Sequence, residues 1–422
     1  MSAMEASFPL SVELPPTADA AVAIVRELAA AGHTALLAGG CVRDLLLGHA
    51  PSDYDVATDA TPPRVRGLFR ATRLVGAQFG VVLVRKRRRW VEVATFRADG
   101  PYLDGRHPAV VRFSSAREDA LRRDFTVNGL FLDPLAGVVT DYVGGRADLE
   151  AGVIRAIGEP AARFAEDHLR LLRAVRFAAR LDFQIEPLTQ AAIWANAARL
   201  PTVAPERVRE ELEKMLSHAN RRRALALLVE TGLLPFLWTG PEWRPEQITA
   251  ADALLAHLPD DPPFELAFAT LVADRSATEV QEIARALTFA NAQRENVAWL
   301  VTHQADLDDP DAISLADVKR LMAHRAFGML RQLAAARHAA LADGAARTAA
   351  LDARLATVLP GTVSPPPLVT GDDLAARGVP AGPIYRRVLD ALYTRQLDET
   401  LHTRAAALAE LDKLLRQAEG EP

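Results

Sequence analysis

Thiol sulfur is almost missing here: a single cysteine, Cys41, stands among 422 residues. No internal disulfide can form, and the composition fits a reducing cytosol while giving no support to structural zinc or thiol redox chemistry. Missing too is any uncharged apolar run long enough to cross a bilayer. The segment from Met1 to Pro16 carries Glu5 and Glu13 where a secretion signal needs basic residues and then an apolar stretch. No such signal is expected, and the expected compartment is the cytoplasm. Neither G-x-x-x-x-G-K-S/T nor G-x-G-x-x-G occurs, which takes away the P-loop and Rossmann readings. No repeat at a solenoid period is present. A surplus of positive charge is lacking as well, since 49 Lys and Arg face 54 Asp and Glu. Proteins that coat nucleic acid indiscriminately need many cations to neutralise phosphates, and this chain does not have that balance.

What is present is a globular composition, 50% apolar and 24% charged. The chain is too long for one ordinary core, so two to four packed units are expected. Charge is unevenly spread: residues 64–130 hold fifteen Lys and Arg against six Asp and Glu, a local basic face available to RNA. After a helical pattern at Ala18–Ala31, short β-rich runs alternate with glycine turns from Thr34 to about Gly158. They are Ala35–Ala38, Val81–Val84, Val91–Phe96 and Val110–Phe113. From Glu159 onward, Ala/Leu/Arg segments with three-to-four spacing signal helices packing on helices. Proline-rich breaks at 201–205, 259–263 and 360–367 prevent helix continuation. The expected parts are a head at 1–158, a neck at 159–218, a body at 219–358 and a tail at 359–422. The expected fold class is α+β, a mixed head followed by an all-α neck, body and tail.

The first cluster that carries chemistry is Leu36-Leu37-Ala38-Gly39-Gly40-Cys41-Val42-Arg43-Asp44. A strand ending in two glycines before a helix lets backbone N–H groups at Gly39 and Gly40 approach phosphate oxygens, and Arg43 adds charge. Ser52-Asp53-Tyr54-Asp55 follows. On a strand, two carboxylates two residues apart point to one face, where they can share hard cations with a triphosphate. An Asp-x-Asp alone suits a turn equally well. Placed shortly after Gly-Gly-x-Val-Arg-Asp, it reads as a metal site.

On these residues the chain resembles the class II tRNA nucleotidyltransferase and bacterial poly(A) polymerase family, whose head has the polymerase-β-like nucleotidyltransferase fold. The resemblance implies that Asp53 and Asp55 are catalytic and hold Mg2+, with Gly39, Gly40 and Arg43 binding nucleotide. Arg122-Arg123-Asp124-Phe125-Thr126-Val127-Asn128-Gly129 is similar to the family's second motif. By that similarity Arg123 contacts the nucleotide, and Asp124 and Asn128 organise its pocket. In Glu166-Asp167-His168-Leu169-Arg170-Leu171-Leu172-Arg173-Ala174-Val175-Arg176-Phe177, read as a helix, residues three apart advance by about −60°. Asp167, Arg170, Arg173 and Arg176 then form a slowly winding polar ribbon. Alone, such a ribbon is a solvated face with i,i+3 ion pairs; beside the other motifs it reads as a pocket wall.

The resemblance implies that Asp167 and Arg170 read the incoming base and that Arg173 and Arg176 continue toward the phosphates. Hydrogen-bond arithmetic agrees. Cytosine and adenine each offer an exocyclic amine beside a ring-nitrogen acceptor, which a carboxylate and a guanidinium match. Guanine and uracil present a carbonyl and a ring N–H instead, leaving polar groups unpaired. Between the first two motifs, Thr95–Pro108 is punctuated by Gly100, Pro101, Gly105 and Pro108 and reads as a loop. In the family a loop here helps to switch the pocket from C to A, which implicates Asp104 and Arg106; enzymes that add only CC lack it.

Other segments leave alternatives open. Arg85-Lys86-Arg87-Arg88-Arg89 is a hairpin tip that is either solvated or in contact with acceptor-stem phosphates. Glu92 is either a third carboxylate at the metal site or half of a buried ion pair with an arginine. Pro205–Leu216 resembles the neck helix that braces the head, and Leu368–Leu374 with Gly382–Tyr385 resembles the tail that supports the tRNA elbow. No His-Asp dipeptide marks the phosphohydrolase domain that some relatives carry. The expected activity is template-independent addition of CCA to the 3′ end of tRNA from CTP and ATP. The expected partner is tRNA, through its acceptor stem and 3′ end, with no membrane and no stable protein partner. A poly(A) polymerase and an A-adding enzyme share the same motifs. A catalytically silent RNA-binding module would have no need of intact Asp53, Asp55 and Arg123.

Overall fold

The apolar run Ala35-Leu36-Leu37-Ala38 folds as a central strand, and the sheet that positions the site grows outward from it. The computed structural model describes residues 5–75, 80–100, 111–240 and 242–419. They form two compact units, one of residues 1–239 with 286–288 and one of 240–285 with 289–422.

In the first unit the strands are β1 (Ala6–Pro9), β2 (Ala35–Ala38), β3 (Asp55–Thr58), β4 (Thr72–Leu74), β5 (Val81–Lys86), β6 (Arg89–Thr95), β7 (Arg97–Asp99), β8 (Val111–Phe113), β9 (Leu130–Asp133) and β10 (Val138–Asp141). Eight of them make one mixed sheet in the order β1-β10-β9-β2-β3-β6-β5-β4. Only β3 and β6 run parallel; β7 and β8 pair with each other as a separate ladder. The short strands β11 (Val153–Ile154) and β12 (Gln184–Ile185) also pair in parallel.

Two registers matter for the site. Ala38 pairs with Asp55 across β2 and β3, so the Gly39-Gly40 turn that leaves β2 lies beside the start of β3. Val56 pairs with Val93 across β3 and β6, and one step earlier that register sets Asp55 beside Glu92. Along β6, Val91, Val93 and Thr95 are buried while Trp90 and Glu92 are exposed, the period-two alternation of a half-buried strand. The β5–β6 hairpin turns on Arg87 and Arg88, with φ of 46° and 68°. That left-handed pair is the favoured geometry of a two-residue hairpin, normally supplied by Asn and Gly.

The helices of this unit are α1 (Asp19–Ala30), α2 (Gly40–Leu46), α3 (Pro62–Leu68), α4 (Ala116–Leu121), α5 (Gly145–Ala151), α6 (Pro160–Glu166), α7 (Leu169–Leu181), α8 (Pro187–Asn196), α9 (Pro205–Leu216) and α10 (Arg221–Glu230). Phe96 and Phe131 meet edge-to-face at 6.1 Å in the core behind the site, an arrangement that aromatic quadrupoles favour. Leu171, Leu172, Ala174 and Val175 of α7 are fully buried, which fixes how its arginines project. α10, inside the body segment drawn from the sequence, belongs to this first unit and packs on α7 and α9.

The second unit is helical throughout its described residues, from α11 (Pro245–Leu255) through α12 (Phe264–Leu271), α13 (Ala277–Ala286), α14 (Asn291–His303), α15 (Leu315–Met322), α16 (Phe327–Ala339), α17 (Gly344–Ala356), α18 (Gly371–Ala375) and α19 (Pro383–Leu397) to α20 (Arg404–Glu419). Phe264, Phe268 and Phe289 cluster with ring centroids 4.9–5.7 Å apart. Lys319, 1% exposed, donates to the Leu397 carbonyl and to Glu399, each at 2.8 Å, satisfying a charge that burial would otherwise penalise. Among the described residues no helix is long and apolar enough to cross a membrane.

Candidate active site

Gly39 leaves β2 with φ +76°, and a Cβ built there would lie 2.7 Å from Nη1 of Arg123. A side chain at this position would therefore collide with the guanidinium that the turn accommodates, in a backbone conformation that only glycine adopts without strain. Arg43, on α2 just beyond, is 4% exposed and donates 2.8 and 2.6 Å bonds to Asp44 and a 2.7 Å bond to Oδ1 of Asn128.

Asp55 is the first residue of β3, whereas Asp53 lies just ahead of it in irregular chain. The expectation that one strand carries both is corrected here: Pro51 and Ser52 bring the chain in, and pairing begins only at Asp55. Both carboxylates nonetheless line the same depression. Crowding by protein, then the nearby Glu92 and Asp53 carboxylates, push the Asp55 carboxyl up to about 6, with Arg123 pulling the other way. Asp55 keeps an open side to solvent, so the like-charge part of that pressure is accessible to a dissolved cation. Glu92 is exposed and makes no ion pair among the described residues, so the arginine-paired alternative is not what the structure contains. An all-oxygen donor set under like-charge repulsion suits a hard divalent cation. No three His, Cys, Asp or Glu side chains among the described residues lie close enough to hold an ion unaided; water or phosphate oxygens would have to complete its shell.

The second and third motifs form the rest of the wall. Asp124 accepts bonds from Arg173 at 2.8 and 2.6 Å and from Asn128 at 3.0 Å. Its burial would raise the carboxyl, but Arg173 and these hydrogen bonds outweigh that and hold it well below the usual carboxylate range. Arg123 is braced by Asp119 at 3.2 and 3.1 Å and by the Asn128 carbonyl at 3.2 Å. α7 begins at Leu169, with Asp167 extended ahead of it (φ −146°, ψ 103°). The ribbon expected on one helix is thus corrected: Arg170, Arg173 and Arg176 share α7, and Asp167 reaches the same wall from the α6–α7 junction. Arg207 of α9 grips Asp167 with two bonds at 3.2 and 2.9 Å. Arg170 donates to Glu166 at 2.6 Å and to the Arg163 carbonyl at 3.0 Å. Arg176 donates to Glu211 at 2.5 Å.

These pieces enclose one depression of about 450 Å3, lined by the twelve described residues to which the resemblance assigns catalysis or nucleotide binding, though not by Glu92. Asp104 and Arg106 lie outside the described residues. The sequence reading did not nominate Asp44, Ser52, Arg122, Phe177 and Arg180, which share the lining, or the braces Asp119, Glu166, Arg207 and Glu211. Phe177 sits among three guanidiniums, Arg176 at 4.1 Å and Arg43 and Arg173 at 5.2 Å from its ring centre, close enough for cation–π attraction to aim them. Asp119 was legible in principle, as an acid three and four residues before Arg122 and Arg123. Of the basic run, Lys86 pairs with Glu27 and Arg87 with Asp19, both on α1.

Residues 35–155 match a family described as "Poly A polymerase head domain", and residues 182–245 one described as "Probable RNA and SrmB- binding site of polymerase A". The chain is 38% identical over 298 residues to the CCA-adding enzyme of Geobacillus stearothermophilus, spanning 70% of this chain and 73% of that one. It is 46% identical over 211 residues to poly(A) polymerase I of Salmonella typhi, 47% of this chain and 45% of that protein. Among solved structures, the Bacillus stearothermophilus CCA-adding enzyme in complex with CTP superposes with a TM-score of 0.79 at 31% identity, covering 96% of this chain and 99% of that one.

Proposed function

The chain belongs to the family of CCA-adding enzymes and bacterial poly(A) polymerases, and we propose that it rebuilds the CCA end of tRNA from CTP and ATP without a nucleic-acid template. The observation that carries this reading is the single depression whose lining brings Asp53 and Asp55 together with Asp167 and Arg170 and with the arginines Arg43, Arg123, Arg173 and Arg176. The RNA 3′-hydroxyl attacks the α-phosphorus of the nucleotide; a new P–O bond forms as the bond to the β-phosphate breaks, and pyrophosphate leaves. Proteins of this family work with a divalent cation, here assigned as Mg2+ held by Asp53 and Asp55 with Glu92 beside them. Bound there, it would offset the negative charge that develops on the reacting phosphate.

The chain's own residues position the substrates. The Gly39-Gly40 turn lets phosphate oxygens approach backbone N–H groups, and Arg43, Arg123 and Arg173 offset their charge. Asp124 and Asn128 keep those arginines in place, so little reorganisation remains when the triphosphate arrives. Asp167 accepts the exocyclic amine of cytosine or adenine while Arg170 donates to the adjoining ring nitrogen. Arg207 and Glu166 hold these two readers at a fixed separation. In the proposed division into head, neck, body and tail, with α10 grouped with the neck helices α7 and α9 on which it packs, base reading lies in the neck and RNA grip in body and tail. We place the protein in the cytoplasm with its tRNA substrate.

Incubating the purified protein with CTP, ATP and tRNAs ending at the discriminator base, at C and at CC tests the proposal. Each should be completed to CCA and no further. Long A tails on unrelated RNA would make it a poly(A) polymerase instead, and extension of the CC-ending tRNA alone an A-adding enzyme.

A further inference from the structure

If the nucleotide fills the depression just described, the RNA 3′-hydroxyl has to reach Asp53 and Asp55 from elsewhere. A second hollow of about 400 Å3 meets the first at these carboxylates, sharing Ser52, Asp53 and Asp55 with it. It opens between the first turn of α1, the segment leading into β3 and the start of β6. We propose that this hollow seats the 3′-terminal nucleotide of the acceptor RNA, its base stacked on Trp90 and its sugar directed at Asp55. The inference rests on the functional reading above.

Size, chemistry and selectivity all point the same way. The volume falls within the range of pockets that bury a small organic ligand, about 300–1,000 Å3. One wall is apolar, from Ala20, Ala21 and Leu83; Tyr54 and Trp90 add aromatic surface. Trp90 is 39% exposed, an unusual outlay of indole surface on a strand whose Val91 and Val93 are buried. Alternation along β6 puts Trp90 on the same face as Glu92, and Arg73 stacks on the indole at 4.6 Å, holding the ring. Arg89, also in the lining, is exposed and makes no ion pair among the described residues, so its charge is available to a backbone phosphate. Successive substrates end in the discriminator base and then in cytosine. Stacking suits such a site because every base has a π-face, whereas an edge-reading pocket would reject some of these ends.

The test is steady-state kinetics of CTP addition to tRNA ending in C, with calorimetric CTP binding measured in the absence of RNA. Trp90→Ala should raise KM for tRNA about tenfold and leave the CTP Kd unchanged; Trp90→Phe, which keeps an aromatic face, should restore most of the loss, and Arg89→Ala should raise the tRNA KM alone. An unchanged tRNA KM in Trp90→Ala, or a CTP Kd that weakens in step with it, would overturn the assignment. A readout independent of activity comes from full-length protein irradiated with tRNA carrying a 3′-terminal 4-thiouridine. Adducts on Tyr54 or Trp90 are expected, and adducts found only elsewhere would sink the proposal. Should the wild type add no CTP at all, the functional reading fails, while the crosslink still decides whether an RNA end occupies this hollow.

Discussion

At Asp55 the needs of folding and of cation binding oppose each other. Its carboxyl, raised to about 6 by crowding and by Glu92 and Asp53, is easier to keep protonated in the folded chain than in the unfolded one. The resulting penalty is absent below its ordinary value near 3.8, grows as pH rises, and is fully present above about 6. Asp55→Asn should therefore raise the melting temperature of the chelator-treated protein at pH 8, with no gain at pH 3.5, while abolishing nucleotide incorporation. Equal melting of the two proteins at pH 8 would remove the like-charge account of the site. The base readers permit a second residue-level test. Replacing Asp167 and Arg170 together by Ala should let UTP and GTP compete with CTP in single-turnover incorporation; a double variant that still excludes both would place base reading elsewhere.

Among the elements, α7 and α9 are joined by polar contacts that no local pattern announces. Arg176 and Glu211 have side chains 9% and 3% exposed, and removing one partner leaves a buried charge uncompensated. Glu211→Ala should lower unfolding stability in urea by about 3 kcal/mol, and a loss under ~0.5 kcal/mol would show that the pair is dispensable. The antiparallel ladder of Arg97–Asp99 on Val111–Phe113 flanks in sequence the segment to which the family resemblance assigns the switch from C to A. Replacing Tyr102–His107 by a short glycine linker should leave CC addition largely intact and nearly eliminate the final A, read as product length on gels. Equal loss of C and A addition would make the segment structural only. Elements of this kind were legible where the signal is local: the strands at 35–38 and 81–84 and the Gly39-Gly40 turn lie where period and glycines place them. Partner choice was not. Asp167 pairs with a residue 40 positions away and Asp124 with one 49 away, and only tertiary packing, of α9 on α7 in the first case and of the segment after α4 on α7 in the second, brings them together. The start of α7 was also set by tertiary context, because an Asp-His pair is as acceptable before a helix as inside one.

For the whole molecule, every residue lining the two hollows belongs to the first unit, although the chain as a whole carries a net charge of −5. Substrate nucleotide and substrate RNA should thus depend differently on the remainder of the chain. A protein ended at Thr239 should bind CTP nearly as well as the full chain, by calorimetry, while its KM for tRNA rises about tenfold through lost phosphate contacts. An unchanged tRNA KM would leave the helical second unit without a role in RNA grip. The brace of Arg207 on Asp167 has a further meaning at this scale. A copying polymerase takes its instructions from a strand that can be exchanged, so one enzyme can write any message. Under the proposed reading this protein keeps its three-letter text in its own covalent structure, as a carboxylate and a guanidinium clamped at one spacing. The text is then inherited through the gene for the protein, and a mutation at Arg207 is an edit to the message.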